Sequence, residues 1–185
     1  MLAKQISSRI ALPGADPAIA SAPTAAPFRI RPIRPSDLEL ERRFVYGLSA
    51  RSRYLRLLSG RPLMPGELER WTNVDPCCEI ALIAVVPREG VDEEIGVARC
   101  AVEDREQGRW DFAVVVADEW QRRGVGEALL RRLLQAAAAA GVATMSGLAL
   151  SENHGMVTLA RKLGFSVHLE DGDATLTRLE LPLGG

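Results

Sequence analysis

The stretch VVVADEWQRRGVGEALLRRLL, residues 114–134, passes from one kind of secondary structure to another within a few residues. Its three opening valines are typical of a buried strand. From residue 125 onward, Val125, Leu129 and Leu133 recur every four residues with arginines on the opposite side, which predicts an amphipathic helix. The segment between them, Gln121-Arg122-Arg123-Gly124-Val125-Gly126, is therefore expected to be the turn that joins strand to helix.

This turn has the features of an anion-binding site. The amide N–H groups at a helix N-terminus have no partner inside the helix, and together with the helix dipole they attract negative charge. Gly124 and Gly126 let a bulky ligand approach the backbone, while Arg122 and Arg123 add positive charge. The turn therefore predicts a cradle for a phosphate or pyrophosphate, although the same spacing also suits a tight turn that holds no ligand.

Two common nucleotide-binding motifs are absent from the sequence. A P-loop requires G-x-x-x-x-G-K-[ST], which occurs nowhere in the chain. A Rossmann fingerprint requires G-x-G-x-x-G, or alanine in the last place, where this chain has Leu129.

Composition narrows the class of protein. The chain has 185 residues, of which 47% are hydrophobic and 25% charged, as expected for one globular domain. Its net charge of −1 gives no reason to expect nucleic-acid binding. We see no secretory signal and no apolar run of the roughly 20 residues that cross a membrane. Three cysteines and two histidines, without a C-x-x-C, argue against a metal site or a disulfide framework, so we expect a cytoplasmic protein without metal.

The chain divides into an N-terminal arm and one domain. Residues 1–27 hold four prolines and eight alanines without periodicity, which predicts a flexible arm or a segment that packs on a partner subunit. Residues 28–185 hold strand-like runs at 28–33, 79–86, 94–103, 109–116 and 143–150, a closing hairpin, and several short helices. This order predicts an α+β fold with a mostly antiparallel sheet and one strand–helix–strand unit at 109–150.

Two blocks of sequence together resemble the GNAT N-acetyltransferase superfamily. The first is the turn already described, which matches that family's acetyl-CoA motif, Q/R-x-x-G-x-G/A at the start of a helix. The second is SENHGMVTLARKLGF, residues 151–165, in which an asparagine opens a helix and K-L-G-F closes it. The resemblance implies the GNAT fold, a mixed and mostly antiparallel sheet flanked by helices, and acyl transfer from acetyl-CoA to an amine.

A narrower resemblance concerns the acceptor. The segment LSARSRYLRLLSGRP, the run LERWTNVDPCCEIALIAVV and the strand WDFAVVV are similar to the acetyltransferase domain of bacterial Pat-type protein lysine acetyltransferases. That domain is joined in larger members to a nucleotide-sensing or synthetase-like domain, which we do not expect here because the 27 residues before the domain are too few and unpatterned. A small-molecule amine acetyltransferase and a catalytically weak acyl-CoA-binding regulatory module remain alternatives. A homodimer is also left open.

The resemblance implies a role for each residue of the turn and its neighbours. The turn amides would hold the pyrophosphate, and the main chain of the preceding strand would pair with the pantetheine arm and polarise the thioester near a bulge. A helix-opening asparagine would contact the pantetheine or adenosine. The cofactor-binding residues are therefore expected to be Val114, Val115, Val116, Gln121, Arg122, Arg123, Gly124, Val125, Gly126, Glu127 and Asn153.

The chain departs from the family pattern at two catalytic positions. Pat-type enzymes use a glutamate as general base where this chain has Asp111, whose shorter side chain would act through a water molecule. An alternative is that Asp111 is an exposed strand carboxylate or a partner for an arginine. Many GNAT enzymes place a tyrosine acid at the position of Ala160, and Tyr54 would replace it only if its helix covers the site.

Charge distribution adds a second argument for a protein acceptor. Residues 29–70 contain ten arginines and five acids, whereas residues 71–111 contain ten acids and four arginines. If the two segments line an acceptor groove, they would attract lysine-bearing protein surfaces. The alternative is that these charges are solvated faces that pair with each other.

Overall fold

We describe a computed structural model of the protein, for residues 19–20, 28–57 and 62–184. Apart from a two-residue strand at Ile19–Ala20, the predicted N-terminal arm lies outside the described residues. None of the helices in these ranges is both long enough and apolar enough to cross a membrane.

The centre of the molecule is a mixed sheet of eight strands. The strands are β1 (Ile19–Ala20), β2 (Phe28–Pro32), β3 (Glu79–Arg88), β4 (Val91–Asp104), β5 (Arg109–Val116), β6 (Thr144–Leu150), β7 (Ser166–Glu170) and β8 (Asp173–Pro182). They lie side by side in the order β1-β2-β3-β4-β5-β6-β8-β7. Only β5 and β6 are parallel among these neighbours, so the expected α+β fold with a mostly antiparallel sheet is confirmed.

Helices cover both faces of the sheet. They are α1 (Leu38–Gly47), α2 (Ala50–Leu57), α3 (Glu67–Thr72), α4 (Val125–Ala139) and α5 (His154–Lys162). Helix α4 packs its predicted apolar stripe into one core, where Leu129, Leu130 and Leu133 are fully buried. Each of these side chains stabilises the fold by about 1.5–3 kcal/mol through burial. Phe44, Trp71 and Val115 belong to a second core, on the face that α1 and α3 cover.

Alternation along β5 places neighbouring residues on opposite faces of the sheet. Phe112 lies in the core beneath α4 and stacks against Phe165, with ring centroids 5.1 Å apart. Asp111 therefore projects from the opposite face, on the side of α1 and α2.

Strands β5 and β6 pair only at their beginnings. Their register contains Arg109 with Thr144, Trp110 with Met145 and Asp111 with Ser146. Beyond that point β5 continues beside β4 and β6 continues beside β8, so the two strands separate into a V-shaped opening. Gly147 lies at the apex of the V, where a Cβ atom would come within 2.8 Å of the Phe112 ring.

The strand register does not show the bulge that was predicted in β5. We expected it in β5, but β5 pairs without interruption with β4 from Trp110 to Val116. The register shift falls between Val102 and Asp104, so Glu103 of β4 is the additional residue. Its carboxylate accepts hydrogen bonds from Ser146 and Arg109, both at 2.7 Å, which holds β4 to the two strands that form the V.

Candidate active site

The V between β5 and β6 opens into a cavity of about 690 Å³. Phe112–Val116 form one wall, and Leu148 and Ala149 form the other. Helix α2 contributes Ser52, Leu55 and Arg56 along the same strand. The turn before α4 and the first turns of α5 complete the lining. A cavity of this size and mixed character suits a small-molecule substrate.

The turn before α4 keeps its amide donors available. Gly124 is the N-cap residue, with φ of +83°, and no side chain caps the first turn of α4. Arg122 also has a positive φ, 57°, a conformation that few residues other than glycine adopt without strain. The uncapped amides lie beside Gly126, which lines the cavity. The geometry therefore suits an anion, as the turn predicted.

Most of the residues expected to bind the cofactor line this cavity. They are Val114, Val115, Val116, Gln121, Arg122, Gly124, Gly126, Glu127 and Asn153. Arg123 and Val125 do not line it. The guanidinium of Arg123 lies over the Trp120 ring at 5.4 Å, and the Val125 side chain is buried in the core beneath α4.

Two of the lining residues use their side chains within the protein. The Gln121 amide donates to the Val116 carbonyl and to Ser52 Oγ, both at 3.1 Å, and so links the turn to β5 and α2. Asn153 caps α5 because its Oδ1 accepts a hydrogen bond from the Met156 amide at 3.1 Å. Both residues therefore shape the cavity wall, whatever else they contact.

A charged bridge crosses the mouth of the cavity between α4 and α5. The Glu127 carboxylate accepts from Lys162 Nζ at 2.6 Å and from Arg131 at 3.0 Å. These hydrogen bonds hold the pKa of Glu127 below its usual range, and the one from Lys162 has the larger effect. Lys162 lines the cavity and was not among the residues expected from the sequence.

Asp111 lies at the apex of the V rather than in the cavity lining. Solvent reaches its side chain, yet the surrounding protein desolvates the carboxyl. That desolvation, followed by the negative charge of Glu103, raises the pKa of Asp111 to about 6. A carboxylate with such a pKa is an effective general base near neutral pH.

Helix α2 covers the cavity because its N-terminal end is fixed to the segment that follows β5. Asp118 accepts hydrogen bonds from Ser49 Oγ and Ser52 Oγ, both at 2.8 Å, and from the Ser49 amide at 2.9 Å. From there α2 extends toward the Asp111 end of β5, where Arg56 lines the cavity. The sequence predicted this helix but contained no local signal for where it packs.

No tyrosine is positioned as a general acid. Ala160 is fully buried, and Tyr54 projects from α2 into solvent without lining the cavity. His154 does line it, in the first turn of α5. Within the described ranges, no group of three or more His, Cys, Asp or Glu side chains could hold a metal ion.

A mixed sheet with one splayed parallel pair, and an uncapped glycine turn at the mouth of the splay, defines a class of acyltransferases. The model of the acetyltransferase (GNAT) family matches residues 52–165. The chain also resembles "Acetyltransferase PA5475" of Pseudomonas aeruginosa, with 32% identity over 147 residues, which cover 79% of this chain and 78% of that protein. The protein therefore belongs to the GNAT family and is an acetyltransferase.

The chain also resembles two proteins that are named Pat, and a third acetyltransferase that was solved with its cofactor. "Acetyltransferase Pat" of Mycolicibacterium smegmatis is 26% identical over 155 residues, 84% of this chain but only 46% of that longer protein. The GNAT domain of S. lividans PAT superimposes with a TM-score of 0.81 at 24% identity, over 92% of this chain and 98% of that one. The acetyltransferase yncA of Salmonella typhimurium, solved with acetyl-CoA, gives a TM-score of 0.69 at 22% identity, over 86% and 96% of the chains.

Proposed function

We propose that the protein transfers the acetyl group of acetyl-CoA to a primary amine, and that the amine belongs to a protein lysine. The observation that carries this proposal is the arrangement along β5. Free turn amides lie at one end of the strand and the Asp111 carboxyl lies at the other, with the cavity between them.

The turn end suits the nucleotide half of acetyl-CoA. Its amides would bind the pyrophosphate, with Arg122 and Lys162 adding positive charge near the cavity mouth. Residues 112–116 of β5 pair with β4 alone, so their backbone groups on the β6 side are available, apart from the Val116 carbonyl, which accepts from Gln121. The pantetheine arm, which carries amides, would pair with them like an added strand. The neighbour from Salmonella typhimurium has acetyl-CoA as its cofactor.

The Asp111 end suits proton transfer from the acceptor. A free lysine near pKa 10.4 is only about 0.1% neutral at pH 7.4, so the amine must lose a proton before it attacks the thioester. Asp111 would accept that proton, directly or through a water molecule. The amine nitrogen then bonds to the acetyl carbon and gives up its second proton to solvent as the carbon–sulfur bond breaks, and the CoA thiolate leaves. With Ala160 buried and Tyr54 outside the cavity, solvent would protonate that thiolate.

Similarity to Pat proteins supports a lysine acceptor, whereas the charge argument does not. The basic and acidic segments pair with each other, through Arg29–Asp92 at 2.6 Å and Arg70–Glu79 at 2.9 Å. These four charges therefore pair with each other, and none of the four residues lines the cavity. The likeness to the M. smegmatis Pat and to the S. lividans PAT domain remains as support.

The test is CoA release from acetyl-CoA against a panel of acceptors. The panel contains lysine peptides, a purified acyl-CoA synthetase and spermidine, with the Asp111→Asn variant as control. We expect turnover on lysine in a protein or peptide that depends on Asp111. Turnover on spermidine alone would replace the lysine acceptor by a small amine, and acetyl-CoA binding without any turnover would indicate a binding module instead.

A further inference from the structure

Arg56 of α2 lines the cavity, and no described residue forms an ion pair with it. Its guanidinium makes no hydrogen bond or ion pair with any described residue, although it contacts the Trp71 ring at 5.8 Å. The side chain is half-buried and lines the cavity between β5 and β6. Arginine carries five N–H donors in a planar fork, and no described residue accepts a hydrogen bond from this one, which also borders a small cavity beside Glu41 and Trp71.

A structural role at Trp71 does not account for Arg56. Arg99 also contacts the Trp71 ring, at 5.6 Å, and its Nη2 donates to the Trp71 carbonyl at 2.7 Å. Arg99 therefore holds this tryptophan by a ring contact and a hydrogen bond, whereas Arg56 makes the ring contact alone. Burial, and next the Arg99 charge, lower the pKa of Arg56 to about 10, so a second cation is kept here at an electrostatic cost and remains charged at neutral pH.

The position of Arg56 places it at the acceptor end of the cavity. Ser52, one helical turn earlier, hydrogen-bonds to Asp118 and Gln121 near the turn that would hold the nucleotide. Helix α2 then extends along β5 in the opposite direction, toward Asp111, whose negative charge acts on Arg56. Arg56 and Asp111 form no ion pair within 4.0 Å, so the guanidinium fork is not occupied by the proposed base.

We infer that Arg56 binds a carboxylate on the acceptor, next to the amine that is acetylated. This inference rests on the proposed function and assigns to its acceptor an anionic group beside the amine. The amine would face Asp111 while the carboxylate occupies the fork of Arg56, which fixes the acceptor by two groups of opposite charge. The carboxylate comes either from an acidic residue beside the acceptor lysine or from the α-carboxylate of a free amino acid.

The experiment compares acceptors that differ only in that charge. In the first arm, two lysine peptides differ by glutamate or glutamine next to the acceptor. In the second, Nα-acetyl-lysine is compared with its amide. We expect kcat/KM to favour the charged member in one arm by about 10- to 100-fold, the range of a charge-assisted hydrogen bond. The responding arm identifies the source of the carboxylate.

Variants test whether Arg56 causes the preference. In Arg56→Gln the ratio of the two kcat/KM values should fall to about one, and in Arg56→Lys it should be intermediate because the charge is kept and the fork is lost. Arg51→Gln removes an equal charge from an exposed position of α2 and should keep the wild-type ratio. Acetyl-CoA affinity, measured by calorimetry, checks that each variant retains its fold and nucleotide site.

Three results would overturn the inference. The first is a wild-type ratio near one in both arms. The second is a ratio that survives Arg56→Gln, and the third is an equal loss on charged and neutral acceptors, which would make Arg56 an electrostatic partner of Asp111. Failure of the proposed function has a different signature, because no acceptor in either arm or in the wider amine panel would then be acetylated.

Discussion

Asp111 of β5 lies level with Ser146 of β6, and this is the last pair in the parallel register of the two strands. The proposed base therefore occupies the point from which the strands separate. One residue further on, Phe112 begins the cavity wall, and Gly147 lies against its ring. The parallel pairing of β5 and β6 therefore ends at the residue that we propose as the general base.

Asp111→Asn should lower kcat on a lysine acceptor by roughly 10²–10⁴ while acetyl-CoA affinity stays the same. The wild-type kcat/KM should rise with pH through about 6, because the carboxyl must be ionised to accept a proton and its pKa is about 6. In the variant this rise of kcat/KM, the acidic limb of the pH profile, should be absent. Steady-state kinetics between pH 5 and 8 measures both, and wild-type turnover in the variant would leave proton transfer to solvent or another group.

Glu103→Gln should move the same limb of the pH profile toward lower pH. The charge of Glu103 raises the pKa of Asp111, and glutamine removes that charge while keeping a similar shape. Asp92→Asn, a change to an acid paired with Arg29, serves as a control for loss of one negative charge elsewhere. A limb that moves equally in both variants, or in neither, would contradict the assignment of that limb to Asp111.

Gly126→Leu should weaken acetyl-CoA binding by roughly tenfold or more, a loss of about 1.4 kcal/mol. A Cβ atom at Gly126 would meet Val116 and Leu159 at 3.5 and 3.7 Å, which are ordinary contacts, so the backbone accepts a side chain. The longer leucine side chain would extend into the cavity that Gly126 lines. Gly126→Ala is the matched control and should bind acetyl-CoA more tightly than the leucine variant. Equal Kd values for all three proteins, measured by calorimetry, would contradict pyrophosphate binding at this turn.

Gly147→Ala should destabilise the fold by about 1–3 kcal/mol, because the added methyl group would overlap the Phe112 ring and its carbonyl oxygen at the apex of the V. Gly47→Ala, at a position where a Cβ meets nothing within 4 Å, is the control and should be close to neutral. Denaturant unfolding measures both. Equal stability of the two variants would show that the apex of the V adjusts without cost.

Glu94→Gln should make the stability of the protein less sensitive to rising pH. Glu94 is buried, and burial followed by the charge of Glu41 raises its pKa well above the usual range. Neither of its oxygens has a hydrogen-bond partner among the described residues, so no hydrogen bond stabilises the ionised form. A raised carboxyl pKa means that the native state holds a proton the unfolded chain has lost, so stability falls as pH rises above the unfolded value. In thermal melts from pH 5 to 9, the Tm of the variant should fall less with pH than the Tm of the wild type. Parallel Tm curves would contradict a raised pKa at Glu94.

The sequence predicted those features of the structure that depend on residues close together in the chain. The turn at 121–126 and the helix after it were predictable, because the glycines and the leucine spacing act over a few residues. The position of Arg56 was not, since α2 is placed by contacts of Ser49 and Ser52 with Asp118, more than 60 residues away in sequence. The same limit explains the bulge at Glu103, which only the partner strand reveals.

The anchoring of α2 gives the protein two separable parts along one strand. Ser52 and Gln121 join the helix to the turn at the proposed nucleotide end, and the second half of the helix, with Arg56, extends over the opposite end of the same cavity. Residues on that half can change without altering the hydrogen bonds at the anchor. If the proposed roles hold, substitutions in the Arg56 half of α2 should change the acceptor without changing acetyl-CoA binding, as long as Ser49, Ser52 and Asp118 are kept.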